Sequence, residues 1–139
     1  MGSRLTLMVV TVVLLGMGCG PGDAGHESLR AGRSVYADNC STCHGNRGQG
    51  GVGPALSEVR DVWPSCTDHI EWITLGSDRW QAERGATYGA LERRINTVMP
   101  GYDGELTTEE IAAVAAFERV EYGDGDPVAE LTACGLPVD

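Results

Sequence analysis

The sequence predicts one small helical domain with long loops. Its 139 residues suffice for a single core and no more. Apolar residues recur at helical spacing in several segments, and Gly- and Pro-rich stretches separate them. Residues 27–39 read as the first helix, with Leu29, Gly32, Val35 and Tyr36 at helical spacing and Gly32 open to close approach by another helix. Residues 66–75 read as a second, with Cys66, Ile70 and Ile73 on one side, Trp72 on another, and Gly76 as its stop. Residues 76–89, with Trp80 and Tyr88, read as a loop with short turns, and 91–98 as a short helix ended by Pro100-Gly101. Thr107 and Glu110 form a capping box, after which Ile111, Val114, Ala115 and Phe117 mark a helix to about Tyr122. The tail 123–139, with Asp124, Asp126 and Glu130, reads as acidic and irregular.

The first 18 residues read as a signal segment outside the fold. The apolar run 5–15 after Arg4 is far shorter than the roughly 20 residues a membrane span needs. Gly16-Met17-Gly18-Cys19 resembles a bacterial lipoprotein cleavage box, with Gly16 where Leu is usual. A lipidated Cys19 is the expectation; an ordinary cleaved signal and an uncleaved short anchor are the alternatives. Residues 19–27 then read as a flexible tether and 28–122 as the folded domain. Cys66 and Cys134 are left over as a pair, which in an oxidising compartment suggests a disulfide tying down the tail. The chain carries 20 acidic against 10 basic residues, a net charge of −10, which argues against nucleic-acid binding. It suits a cationic partner surface or plain solubility.

The chemistry concentrates in Cys40-Ser41-Thr42-Cys43-His44. Cys-x-x-Cys-His is the attachment pattern of a c-type haem. Two thiols one helical turn apart add to the two vinyl groups of one porphyrin, and the adjacent imidazole becomes the proximal iron ligand. Residues 45–56 follow with five glycines in twelve. No Lys-Ser/Thr pair follows, so a phosphate loop is excluded, and a loop wrapped on the proximal face of a flat macrocycle explains the glycines better. The Pro54 carbonyl is placed to accept the outer-nitrogen proton of His44. Of the four methionines only Met99 lies beyond the signal segment, and it is the expected distal ligand. His26 and His69 are weaker competitors. The rival from another class is a structural zinc site of Cys40, Cys43, Cys66 and His69, whose spacing is credible for a zinc ribbon. It leaves His44, Met99-Pro100 and the glycine loop without purpose.

From Leu29 to about Tyr122 the chain resembles class I c-type cytochromes. The resemblance rests on Gly32-x-x-x-Tyr36-x-x-x-Cys40-Ser-Thr-Cys43-His44-Gly45, on Gly51-Val-Gly53-Pro54-Ala-Leu56, on Val98-Met99-Pro100 and on residues 106–117, in that order. It implies an all-α fold of three main helices around one covalent haem c, with first and last helices crossing near Gly32 and Ala115–Ala116. It implies His44 and Met99 as iron ligands and single-electron carriage, without an enzymatic activity of its own. Implied partners are of the quinol–cytochrome c reductase, terminal oxidase or dehydrogenase type, in the periplasm or at the outer face of the cytoplasmic membrane. The haem subunit of a larger complex and a ligand-binding five-coordinate haem are the alternatives. Arg79, Trp80 and Tyr88 are placed by position to bond the haem propionates.

Overall fold

The computed structural model describes residues 23–138; the expected signal segment and Cys19 lie outside them. The first helix, α1 (Asp23–Val35), starts earlier than expected, so the stretch 23–27 read as tether is helical. A π-helical turn (Tyr36–Cys40) and the short α2 (Ser41–His44) continue it into the haem-attachment motif. The wider turn inserts a residue into the helical repeat immediately before the two thiols, a device common at functional sites. Tyr36 and Cys40, four apart, both face inward.

A glycine-rich loop and α3 (Val59–Val62) lead to α4 (Cys66–Arg84), capped by Ser65, whose hydroxyl accepts from the Asp68 amide. The expected stop at Gly76 is half right. Gly76 leaves helical geometry at φ 67°, and a second helical stretch then resumes to Arg84 where a loop was expected. A two-stranded antiparallel hairpin follows, β1 (Thr87–Tyr88) paired with β2 (Arg93–Arg94), replacing the expected helix over 91–98. Gly89 and Glu92 adopt positive φ between the strands, and the Trp80 indole nitrogen donates to the Thr87 carbonyl. These non-local anchors override the short apolar spacing that suggested a helix.

The helix α5 (Thr108–Glu121) begins at the expected capping box, with Thr107 and Glu110 bonded reciprocally. Its middle is the centre of the molecule: Val114, Ala115 and Ala116 have no exposed surface. α1 crosses α5 at Gly32, but against Ala113 and Phe117 rather than Ala115–Ala116. A Cβ on Gly32 would lie 2.1 Å from the Ala113 carbonyl oxygen. Gly32→Val is therefore expected to cost about 3 kcal/mol or more through overpacking, read as a lower denaturant midpoint at unchanged slope. Tyr36, Phe117 and Tyr122 close this crossing with ring centroids 5.0–5.7 Å apart.

The tail is not irregular. It forms α6 (Pro127–Ala133), and its signal was present in the sequence: Asp126 caps the Ala129 amide and Pro127 occupies the first helical position. The buried Arg119 and Glu130 side chains meet at 2.5 Å, Arg60 adds a second contact to Glu130 at 2.8 Å, and Arg119 also donates to the Trp63 carbonyl. Cys134 pairs with Cys66 at the start of α4, Cα atoms 5.2 Å apart.

Candidate functional site

A cavity of about 390 Å³ opens between the attachment motif, the glycine loop, α4, the hairpin and the Met99 segment. That is the size class of small-molecule and cofactor sites. Cys40, Cys43, His44, Pro54 and Met99, all expected from the sequence, line it together, and so do His69 and Glu118.

The motif is held from three sides. The Tyr36 hydroxyl donates to the Gly45 carbonyl at 2.6 Å, and the Tyr102 hydroxyl to the Asn39 carbonyl at 2.9 Å. Burial pushes the Tyr102 phenol up to about 12, so it remains a donor throughout the physiological range. The glycine loop folds back on the motif, with the Gly50 amide on the His44 carbonyl and the Gly53 amide on the Cys43 carbonyl. A Cβ on Gly53 would meet His44 Cε1 at 2.9 Å, so only glycine lets this backbone lie flat on the imidazole.

His44 is buried, and its Nδ1 lies 2.9 Å from the Pro54 carbonyl oxygen. A carbonyl only accepts, so the proton sits on Nδ1 and the Nε2 lone pair is left for a ligand bond. Cys40 and Cys43 are unpaired thiols despite their spacing. Burial pushes the Cys40 thiol far up, and the nearby Glu118 and Cys43 add to it.

Met99 is held through its main chain, by a residue that sequence reasoning missed. Its amide donates to Ser77 Oγ at 3.0 Å, and the Ser77 amide donates to the Met99 carbonyl at 2.9 Å. Ser77 is wholly buried just after the Gly76 break. A Cβ on Gly76 would lie 2.3 Å from the Gly101 amide, and one on Gly101 would lie 2.4 Å from the Leu75 carbonyl oxygen. The break and the two glycines thus let the segment 99–101 lie directly on α4. No local signal marks Ser77, because its partner is 22 residues away. Ser77→Ala is expected to leave the Met99 amide without its partner, while the Ser77 amide still donates to the Met99 carbonyl, at a cost of about 1–3 kcal/mol. It is expected to loosen the Met99 segment, measured as faster binding of carbon monoxide to the reduced haem protein.

The aromatic wall comes from Trp63, Trp72 and Tyr88, with Trp72 and Tyr88 stacked at 4.6 Å. Of the side chains expected at the propionates, only Tyr88 reaches the cavity. Arg79 is exposed and engaged by Glu83 and Asp103, and the Trp80 donor is spent on Thr87. Arg93 and Arg94 of β2 line the cavity instead. The zinc set does not assemble: Cys66 is taken by Cys134, and His69 Nε2 is 3.2 Å from Glu118. Among the described residues no group of three or more His, Cys, Asp or Glu is placed to hold a metal ion. Two free thiols, an imidazole lone pair and a thioether around one cavity with an aromatic wall instead fit a covalent haem.

Comparison with known proteins agrees. The cytochrome c family model matches residues 29–117. The chain is 36% identical over 87 residues to the cbb3-type cytochrome c oxidase subunit CcoP of Cereibacter sphaeroides, a match covering 62% of this chain and 25% of that subunit. It is 32% identical over 96 residues to cytochrome c6 of Euglena gracilis, covering 66% of this chain and 91% of that protein. Among solved structures it superposes on the c-type cytochrome XoxG of Methylobacterium extorquens AM1 with a TM-score of 0.50 and 16% identity, over 78% of this chain and 65% of that one, a likeness of fold. Over its helical core this chain belongs to the cytochrome c family, electron-transfer proteins of a small all-α fold carrying a covalent c-type haem.

Proposed function

We propose that this protein is a single-electron carrier whose haem is bonded through Cys40 and Cys43 and ligated by His44 and Met99. Haem c supplies the one-electron iron couple. The chain's residues do the rest. Pro54 fixes the His44 tautomer and ring orientation. Ser77 holds the Met99 segment, so that reorganisation on electron transfer is small. The buried Cys40, Trp63 and Trp72 keep water from the interior of the site. Val52 and Val98, about 70% exposed, flank the cavity mouth and leave an apolar rim on an otherwise acidic protein. The observation that carries the reading is the His44–Pro54 bond in a cavity that Met99 also lines.

The signal segment and motif fit an exported protein of the periplasm or the outer face of the cytoplasmic membrane, lipid-anchored at Cys19. No helix among the described residues is long and apolar enough to cross a membrane. The pairing of Cys66 with Cys134 fits a disulfide formed in that compartment. Oxidase- or dehydrogenase-type complexes are the partners, and a haem subunit within such a complex is the second reading. It is favoured by the similarity to an oxidase subunit of which this chain spans a quarter. The test is direct. The purified protein should keep its colour through denaturing electrophoresis, show sharp visible bands on reduction, and bind carbon monoxide slowly. Rapid carbon monoxide binding by the native reduced protein would replace the carrier with a five-coordinate site. Co-purification from membranes with a larger oxidase would select the subunit reading.

A further inference from the structure

The haem cavity has an ionisable pair in its wall that attachment and ligation leave unused. His69, on α4, is 3% exposed, and Glu118, on α5, is 4% exposed; both border the cavity. His69 Nε2 lies 3.2 Å from Glu118 Oε2, and the ring lies parallel to Trp63 at 6.2 Å. The other ring nitrogen, Nδ1, is buried and has no hydrogen-bond partner among the described residues. An orphaned buried polar atom of this kind is costly, so its partner is to be sought in whatever fills the cavity. The periphery of a haem offers few hydrogen-bonding groups: its carbon substituents are apolar and its two propionates are carboxylates.

We propose that His69 Nδ1–H holds a haem propionate, so that one imidazolium bridges two carboxylates, the propionate and Glu118. The proposal rests on the haem reading above. Its chemistry is self-consistent: two buried carboxylates repel unless a cation lies between them, and an imidazolium with both nitrogens protonated donates one hydrogen bond to each. Glu118 sets the ring orientation, the role a carboxylate plays behind any imidazole whose far nitrogen works. His69 is thus a positioning residue for the cofactor, and the pair sets the charge around it. The other charged side chains bordering the cavity are Arg93 and Arg94 of β2, and Arg93 is already engaged by Glu58.

The pair predicts shifts of opposite sign. In the haem protein, His69→Gln removes the cation and leaves Glu118, so the oxidised form is favoured at least tenfold, a potential lower by about 59 mV or more. Glu118→Gln removes the anion and moves the potential upward. The propionate bending band in the resonance Raman spectrum shifts in His69→Gln, and 15N-histidine labelling of the unaltered protein shows a slowly exchanging proton on His69 Nδ1. The last measurement needs no variant to fold. A bare Nδ1 in the haem protein, an unmoved propionate band, or shifts of the same sign in both variants would overturn the proposal while leaving the His44/Met99 spectrum intact. If instead His69→Gln abolishes the six-coordinate spectrum, His69 is itself an iron ligand, and this proposal and the Met99 assignment fall together.

Discussion

Under the proposed His44/Met99 ligation, Met99→Ala should open the iron to rapid carbon monoxide binding and lower the potential on the order of 0.1–0.3 V. The magnitude follows from chemistry. A thioether is a soft, weak donor that favours ferrous iron, and axial-ligand choice moves haem potentials over about 0.8 V. The structure makes the experiment clean. The Met99 segment is fixed by its main chain on Ser77 and by the Gly76–Gly101 contact, neither of which needs the side chain. The loop should therefore stay in place, and the effect should be confined to the coordination site. Met99 is only half-buried, so the packing loss is smaller than the about 2–5 kcal/mol of a core Met→Ala change. An unchanged visible spectrum and potential, in a variant of unchanged helical content, would remove Met99 from the iron.

The site was largely legible from sequence because its chemistry is written locally. Cys40, Cys43 and His44 are adjacent, and the glycine loop from Gly45 ends at Pro54 within one wrap of the chain. The His44–Pro54 bond was expected on that basis and is present. The capped helix at Thr107 was legible for the same reason, since a capping box spans four residues. What was not legible depends on residues far apart in sequence. The hairpin Thr87–Arg94 forms because Trp80 and Val62 grip it, with the Ala90 amide on the Val62 carbonyl. Its strands are two residues long, too short to show alternation. Ser77 acts across 22 residues. Glu118 comes just after the apolar run of α5 and beside Arg119, where a carboxylate reads as the exposed face until His69 is seen beside it. The missed α6 is a different failure: Asp126-Pro127 is a local start signal, outweighed by the acidic composition around it.

Cys134→Ser is expected to be among the most costly changes remote from the haem. With Cys66 it closes a loop across a sequence separation of 68, for which the chain-entropy model gives about 4 kcal/mol at 25 °C. For a domain of this size that is a fall in Tm of roughly 15–20 °C. The serine replaces a buried sulfur, but α6 keeps its other anchors: Leu131 remains in the core, and the Arg119–Glu130 pair remains bonded to it and to Arg60. The variant should accordingly fold with α6 docked and its haem spectrum unchanged, losing stability chiefly through the freed unfolded chain. Glu130→Gln offers the contrast. It leaves the buried Arg119 guanidinium without its charge partner, a loss of about 3–5 kcal/mol that acts on the native state. Because both changes bear on α6, their combined cost should depart from additivity. Thermal unfolding with and without a thiol reductant checks the first claim. If unaltered protein and Cys134→Ser melt together under oxidising conditions, the two sulfurs are not bonded, and the tail is held by Leu131 and the contacts of Glu130.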